Sequence, residues 1–236
     1  MASRAQVTRR SLLAGGLAAV VAGVVVGADA FAPDDQQAPS APAGSADVAT
    51  TQARRARTSL VMVGDSITAG STTPLKAAFS AVGFTGVTIE AQPSRRIEVG
   101  GGPNEPRSGM QAITTLLADH AAPDVWVVAL GTNDVGKYAD EAAYAQLIDR
   151  LLALVPGGRP LLWVDVYRRE YLAHCKLFNT ALRDRLHARG NAASVSWFDL
   201  ASQRNQKILK TDDIHPNAKG IQVFADLVAT GVTKLP

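Results

Sequence analysis

From residue 59 onward the chain alternates short apolar runs with longer amphipathic segments, and this alternation narrows the available folds more than any other feature. The runs fall at 60–63, 87–90, 125–130, 161–166 and 195–198. Between them the spacing predicts helices. Thr73-Pro74 opens the first, with proline at an early helical position where its missing N–H costs nothing. The second covers about 108–120. Asp140 precedes a third over 141–154, with Tyr144, Leu147, Ile148, Leu151 and Leu152 at helical spacing. The fourth covers about 170–189 and stops at Gly190, and the last begins at Pro216. Five apolar strands alternating with helices predict an α/β domain whose parallel sheet is covered on both faces. Chemistry in such sheets gathers beyond the carboxyl ends of the strands.

The segment ahead of this pattern has a different composition. Arg4, Arg9 and Arg10 precede an uncharged run over 11–28, and Ala28-Asp29-Ala30 offers a small-residue cleavage site. Residues 1–30 are expected to be an export signal, and Thr8-Arg9-Arg10-Ser11-Leu12-Leu13 resembles the twin-arginine type. An uncleaved anchor is the competing reading, since the run is near the low end of spanning length. Residues 31–58 are rich in Ala, Pro, Ser, Thr and Gln and are expected to be a flexible linker. That leaves 59–236 as the folded domain, facing the cell envelope or the exterior, with the membrane met only through the signal. A monomer is expected.

Losing 1–30 removes three Arg and one Asp and lowers the net charge from +3 to +1. With no basic stripe interleaved with aromatics, nucleic acid is not an expected partner. Cys175 is the only cysteine, so no intramolecular disulfide and no cysteine-based metal site can form. Its neighbours Leu172, Leu177 and Phe178 suggest a buried small hydrophobe.

Three blocks carry the chemistry. Gly64-Asp65-Ser66-Ile67-Thr68 follows the first strand, Gly131-Thr132-Asn133-Asp134 the third, and Asp212-Asp213-Ile214-His215-Pro216 lies after the fifth. A serine hydroxyl is a weak nucleophile at neutral pH and needs a base, an orienting carboxylate and donors for the developing oxyanion. Ser66, His215, Asp212 and Asn133 fit those roles. Asp213 is a rival carboxylate, expected to face away, and Asp65 is expected to brace the turn rather than serve as the triad acid. His120, His174 and His187 have no matching partners. No metal or cofactor is called for.

These blocks resemble the SGNH hydrolases, also called the GDSL esterase/lipase family, over about 59–231. The resemblance implies a three-layer α/β/α flavodoxin-like fold with strand order 2-1-3-4-5 and metal-free ester hydrolysis. It matches Ser66 to the nucleophile, Asn133 to the oxyanion asparagine, His215 to the base and Asp212 to the acid. The second block departs from the lipolytic members, which have a glycine after the second strand to complete the oxyanion hole. Here the stretch is Ala91-Gln92-Pro93-Ser94-Arg95-Arg96-Ile97. This variant is similar to SGNH domains of bacterial polysaccharide acyltransferases.

The oxyanion donors are then Ser66, Asn133 and the backbone of Ser94 or Arg95, with Gly109 a weaker candidate. Arg95, Arg96 and Arg168 are candidates for substrate contacts on the same rim. The competing reading pairs one of the first two with Glu90 or Glu98. A Gly/Pro-rich loop over 100–106 reads equally as an active-site wall or a plain surface loop. The expected function is an exported esterase acting on small acyl groups, acetyl-type, on envelope carbohydrate. Transfer of the acyl group to a sugar hydroxyl, and a catalytically silent carbohydrate-binding domain, are the alternatives.

Overall fold

A computed structural model describes residues 56–203, 205 and 207–236; the expected export signal, and the linker through residue 55, lie outside the described residues. Five strands form one parallel sheet: β1 Ser59–Gly64, β2 Gly86–Ala91, β3 Val125–Ala129, β4 Leu161–Val164 and β5 Ala192–Val195. Their order is β2-β1-β3-β4-β5. The helices are α1 Ser66–Gly70, α2 Thr72–Ala81, α3 Gly109–Ala118, α4 Glu141–Leu152, α5 Leu172–Arg189, α6 Trp197–Ala201 and α7 Ala218–Thr233. A 3-10 turn, Arg169–Tyr171, leads into α5.

Alternate residues of the central strands enter opposite cores, which is why those strands read as unbroken apolar runs. Val61, Val63, Trp126, Val128, Leu161 and Trp163 join Ile113, Leu147 and Phe178 from α3, α4 and α5. Leu60, Met62, Val125, Val127, Leu162 and Val164 join Phe79, Trp197 and Phe224 from α2, α6 and α7. The result is the three-layer α/β/α arrangement. No helix among the described residues is long and apolar enough to cross a membrane.

Helix starts follow the expected polar caps. Ser108 and Gln111 form a reciprocal capping box on α3, and Asp140 accepts from Ala143 N at 2.9 Å ahead of α4. Among the boundaries that differ from expectation, two have a clear local cause. The last helix begins at Ala218 rather than Pro216, because the Asn217 side chain accepts from Gly220 N while Pro216 bridges to Leu209. The fifth strand lies over Ala192–Val195, three residues before the expected run. Ser196 caps α6 through Asp199 N and turns the more apolar Trp197 and Phe198 into a helix. Just ahead of β1, Thr58 N already donates to Asp124 Oδ2 at 2.9 Å, so the domain's ties start slightly before residue 59.

Asp165, beyond the end of β4, makes stability depend on pH. It accepts from Phe198 N at 2.7 Å and from Ser196 Oγ at 2.9 Å, and it is 7% exposed. Burial pushes its carboxyl up from 3.8 to about 6, against those two bonds. Between those values the native state holds a proton that the unfolded chain has released, so this group's contribution falls as pH rises from about 4 to about 6 and is flat above. Asp165→Asn keeps both partners and removes the buried charge. Denaturant melts should show it stabilising by on the order of 1–3 kcal/mol above that window, and by less near its acid end. An equal effect at both ends would contradict this account.

Candidate active site

Ser66 is the first residue of α1, on a tight turn leaving β1. The turn is fixed locally: Asp65 Oδ1 accepts from Ile67 N at 2.9 Å. A Cβ at Gly64 would lie 2.1 Å from Thr68 Oγ1, so only glycine lets the strand end this close to the helix. Opposite, His215 Nε2 is 2.9 Å from Ser66 Oγ and His215 Nδ1 is 2.8 Å from Asp212 Oδ2. The other Asp212 oxygen accepts from Ile214 N at 3.0 Å and His215 N at 2.9 Å. Partial burial opposes its ionisation, but the bonds from the His215 ring and from these backbone groups outweigh it and hold Asp212 down to about 2. It therefore stays ionised across neutral pH and can fix the imidazole's tautomer. Asp213 sits at φ 54° and pairs with Arg169 at 3.4 Å, away from the ring.

The oxyanion side is built from three loops. Gly131 has φ +123°, and a Cβ there would lie 2.5 Å from Phe178 Cζ, so this bend after β3 demands glycine. The bend delivers Asn133, whose Nδ2 donates to Arg95 O at 3.0 Å and lies 3.5 Å from Asp65 Oδ2. Ser66 N, at the first helical position, has no acceptor within its helix. In the second block, Pro93 and Ser94 are the central residues of a turn closed weakly by Arg95 N on Gln92 O at 3.4 Å. Ser94 has φ 61°, the left-handed geometry that normally selects glycine. The position thus keeps the conformation without the residue. Ser94 N has no acceptor among the described residues, whereas Gly109 N is taken up by Arg96 O at 2.8 Å. Of the three candidate donors, Ser94 N is therefore the one left without an acceptor among the described residues.

Arg95 requires a correction. Its side chain is fully buried and not available to substrate. Nε donates to Arg107 O at 3.0 Å, Nη1 to Gly64 O at 3.2 Å and Glu90 O at 2.8 Å, and Nη2 to Glu90 Oε1 at 2.8 Å. The guanidinium thus ties the end of β1, next to the nucleophile, to β2 and to the loop before α3. With its own carbonyl on Asn133, Arg95 joins all three loops. Arg96, a quarter exposed, pairs with Asp134 at 3.2 Å rather than with Glu98, which binds Arg150 through two bonds of 2.8 Å. Arg168 stands beyond β4, bonded to Glu170 at 3.1 Å and 4.9 Å from the Tyr171 ring centroid. The loop over 100–106 is closed by Gly101 N on Pro106 O at 2.9 Å and Glu105 N on Gly102 O at 3.1 Å.

Asp134 is a residue whose role sequence reasoning missed. Fully buried, it accepts from Ile97 N at 3.0 Å and from Arg96, and so anchors the second block to the third. Burial pushes both Asp134 and Asp65 up to about 6. Its position right after Asn133 beside a buried strand was the available signal. Cys175 is buried, and burial pushes its thiol up to about 11. His174 meets the Tyr144 hydroxyl at 3.2 Å. Among the described residues no group of three or more His, Cys, Asp or Glu could hold a metal ion.

With this geometry in hand, residues 62–223 match the family described as GDSL-like lipase/acylhydrolase. The chain belongs to that family. Ester hydrolysis is the chemistry GDSL-like acylhydrolases share. Several solved structures are similar to this GDSL-like domain. The C-terminal catalytic domain of peptidoglycan O-acetyltransferase A from Streptococcus pneumoniae is 18% identical with a TM-score of 0.58, covering 76% of this chain and 92% of that one. A lipolytic G-D-S-L protein from Veillonella parvula is 15% identical with a TM-score of 0.59, covering 75% of this chain and 100% of that one. A carbohydrate acetylesterase from Sinorhizobium meliloti is 18% identical with a TM-score of 0.58, covering 75% and 99%. At these identities the likeness is one of fold. A comparison with curated protein sequences found no match.

Proposed function

We propose that this GDSL-like protein is an exported esterase that removes small, acetyl-type acyl groups from carbohydrate through an acyl-enzyme on Ser66. The observation that carries the reading is the unbroken chain from Ser66 Oγ through the His215 ring to Asp212, at 2.9 and 2.8 Å. Ser66 Oγ attacks the carbonyl carbon as its proton passes to His215 Nε2, and Asp212 stabilises the imidazolium. The oxyanion is met by Asn133 Nδ2 and the N–H groups of Ser66 and Ser94. Collapse expels the sugar alkoxide, which takes the proton back from His215. Water, deprotonated in turn by His215, then releases the carboxylic acid and restores Ser66.

Two features support small acyl groups and a polar leaving group. Among the described residues the exposed large hydrophobics are only Val82, Val99 and Leu172, too few and too scattered for a lipid groove. The rim instead carries Ser94, Arg96 and Arg168. Side-chain exposures of 37% for His215 and 43% for Asp212 favour hydrolysis, because water can reach the base. Transfer to a sugar hydroxyl would use the same intermediate. The esterase reading is tested with a chromogenic short-chain ester, with and without a saccharide acceptor. Free acid should form in both cases, and no turnover by the wild type would overturn it.

Export rests on Arg9-Arg10, the run over 11–28 and Ala28-Asp29-Ala30. The protein isolated from its own cells should begin near Phe31. N-terminal sequencing that finds Met1 in the membrane fraction would contradict cleavage.

A further inference from the structure

A second cavity, distinct from the oxyanion side, opens between the connection from β4 to α5 and the segment leading to His215. Its volume is about 460 Å³, within the usual range for small-ligand sites. Its lining includes Ala201, Ile208 and Leu209 as apolar surface, with Tyr167, Arg169, Lys207 and Asp213 as polar groups. Tyr167 follows the carboxyl end of β4, and Asp213 adjoins Asp212, so the walls start from the catalytic rim.

Two observations mark this cavity as more than a surface dent. Lys207 at φ 48° and Asp213 at φ 54° are two of the four non-glycine residues with left-handed φ among the described residues, and both line it. Such backbone is costly for residues with a side chain and is kept where the surrounding structure enforces it. Here Asn217 Nδ2 on Lys207 O at 2.7 Å and Asp213 N on Lys210 O at 3.1 Å hold the two positions. The second observation is charge. Asp213 is already met by Arg169 at 3.4 Å, while Lys207 has no acidic partner among the described residues. Among the described residues the cavity therefore offers a cation without an acidic partner, beside a small apolar patch formed by Ala201, Ile208 and Leu209.

We propose that this cavity is a subsite for a carboxylate-bearing sugar of the glycan whose ester Ser66 attacks, with Lys207 contacting the carboxylate. The subsite rests on the esterase reading only for its purpose; binding itself needs no turnover. Sugar carboxylates come from uronic acids or from lactyl ether groups, and the probes separate the two. The purified protein is titrated with trigalacturonate, with its methyl-esterified neutral counterpart, and with N-acetylmuramic acid, and binding is read by calorimetry.

At least one acid should bind, and the neutral ester should bind about tenfold more weakly or worse. Lys207→Gln, which keeps the backbone bond to Asn217, should weaken the acid by a similar factor and leave the thermal midpoint unchanged. Added salt should weaken acid binding. Trigalacturonate alone binding would indicate the uronate source, and N-acetylmuramic acid alone the lactyl source. Equal binding of acid and neutral forms, binding of neither acid, or wild-type affinity in Lys207→Gln would each overturn the proposal. Absence of hydrolysis on the chromogenic ester, with acid binding intact, would instead strike only the esterase reading.

Discussion

Replacing Ser66 by Ala should lower kcat on a short-chain aryl ester by at least about 10⁴-fold, and His215→Ala should do nearly the same. The two residues act as one unit, since the Nε2–Oγ contact of 2.9 Å lets the ring take the proton only if the hydroxyl is there to give it. The double variant should consequently be little worse than either single one. Neither substitution removes a core side chain, so circular dichroism and melting should stay close to wild type. Asn133→Ala deletes one oxyanion donor and leaves the nucleophile in place, so a smaller loss of about 10²–10³-fold in kcat is expected. A stopped assay over the three variants separates these roles. Equal losses in all three, or an active Ser66→Ala, would contradict the mechanism.

Arg95→Met should be the most damaging substitution for stability. The guanidinium is fully buried, and its loss takes a donor from the carbonyls of Gly64, Glu90 and Arg107, while the part-exposed Glu90 carboxylate keeps only Arg107 at 3.4 Å. Removing one partner of a buried pair costs about 3–5 kcal/mol, and the lower end is expected here because Glu90 is part-exposed and keeps Arg107. Lys does not replace it, because a single ammonium cannot reach several acceptors in the planar fork geometry of Arg. Urea unfolding measures the loss directly. Any fraction that folds should show lowered kcat with little change in KM, because Arg95 holds Gly64 beside Ser66 and receives Asn133 Nδ2 at 3.0 Å. Arg96→Ala, at a quarter-exposed position, should cost far less. Near-native stability in Arg95→Met would mean the network is not what organises these loops.

The contrast between Arg95 and Ser66 shows which parts of this molecule are legible in its sequence. The parallel sheet and its rim came through because both follow from local patterns, apolar runs and polar blocks directly after strands, whereas the strand order came only from the family resemblance. Ser66, Asn133, Asp212 and His215 could be found because a serine esterase needs those residue types together, and the fold brings them to one edge. For Arg95 the competing reading, an ion pair with Glu90, holds, but its full burial could not be read, since an arginine in a loop is normally solvated and only the tertiary arrangement of three carbonyls and that carboxylate makes burial favourable. Asp134 escaped notice for the same reason, its donors lying 37 and 38 residues away in sequence. β5 was displaced because Ala192, Ala193 and Ser194 are weak strand formers whose pairing with β4 is imposed by the sheet. Ser94 illustrates a subtler limit: its positive φ belongs to the turn, and nothing in the residue type announces it.

The central claim is that Ser66 becomes acylated, and covalent capture tests it most directly. The protein is treated with a fluorophosphonate, which reacts with activated serine hydroxyls, and the adduct is located by peptide mass spectrometry. A single adduct on Ser66 is expected, absent in Ser66→Ala and strongly slowed in His215→Ala. An adduct on another residue, or an unlabelled protein that still hydrolyses the aryl ester at the wild-type rate, would contradict the account.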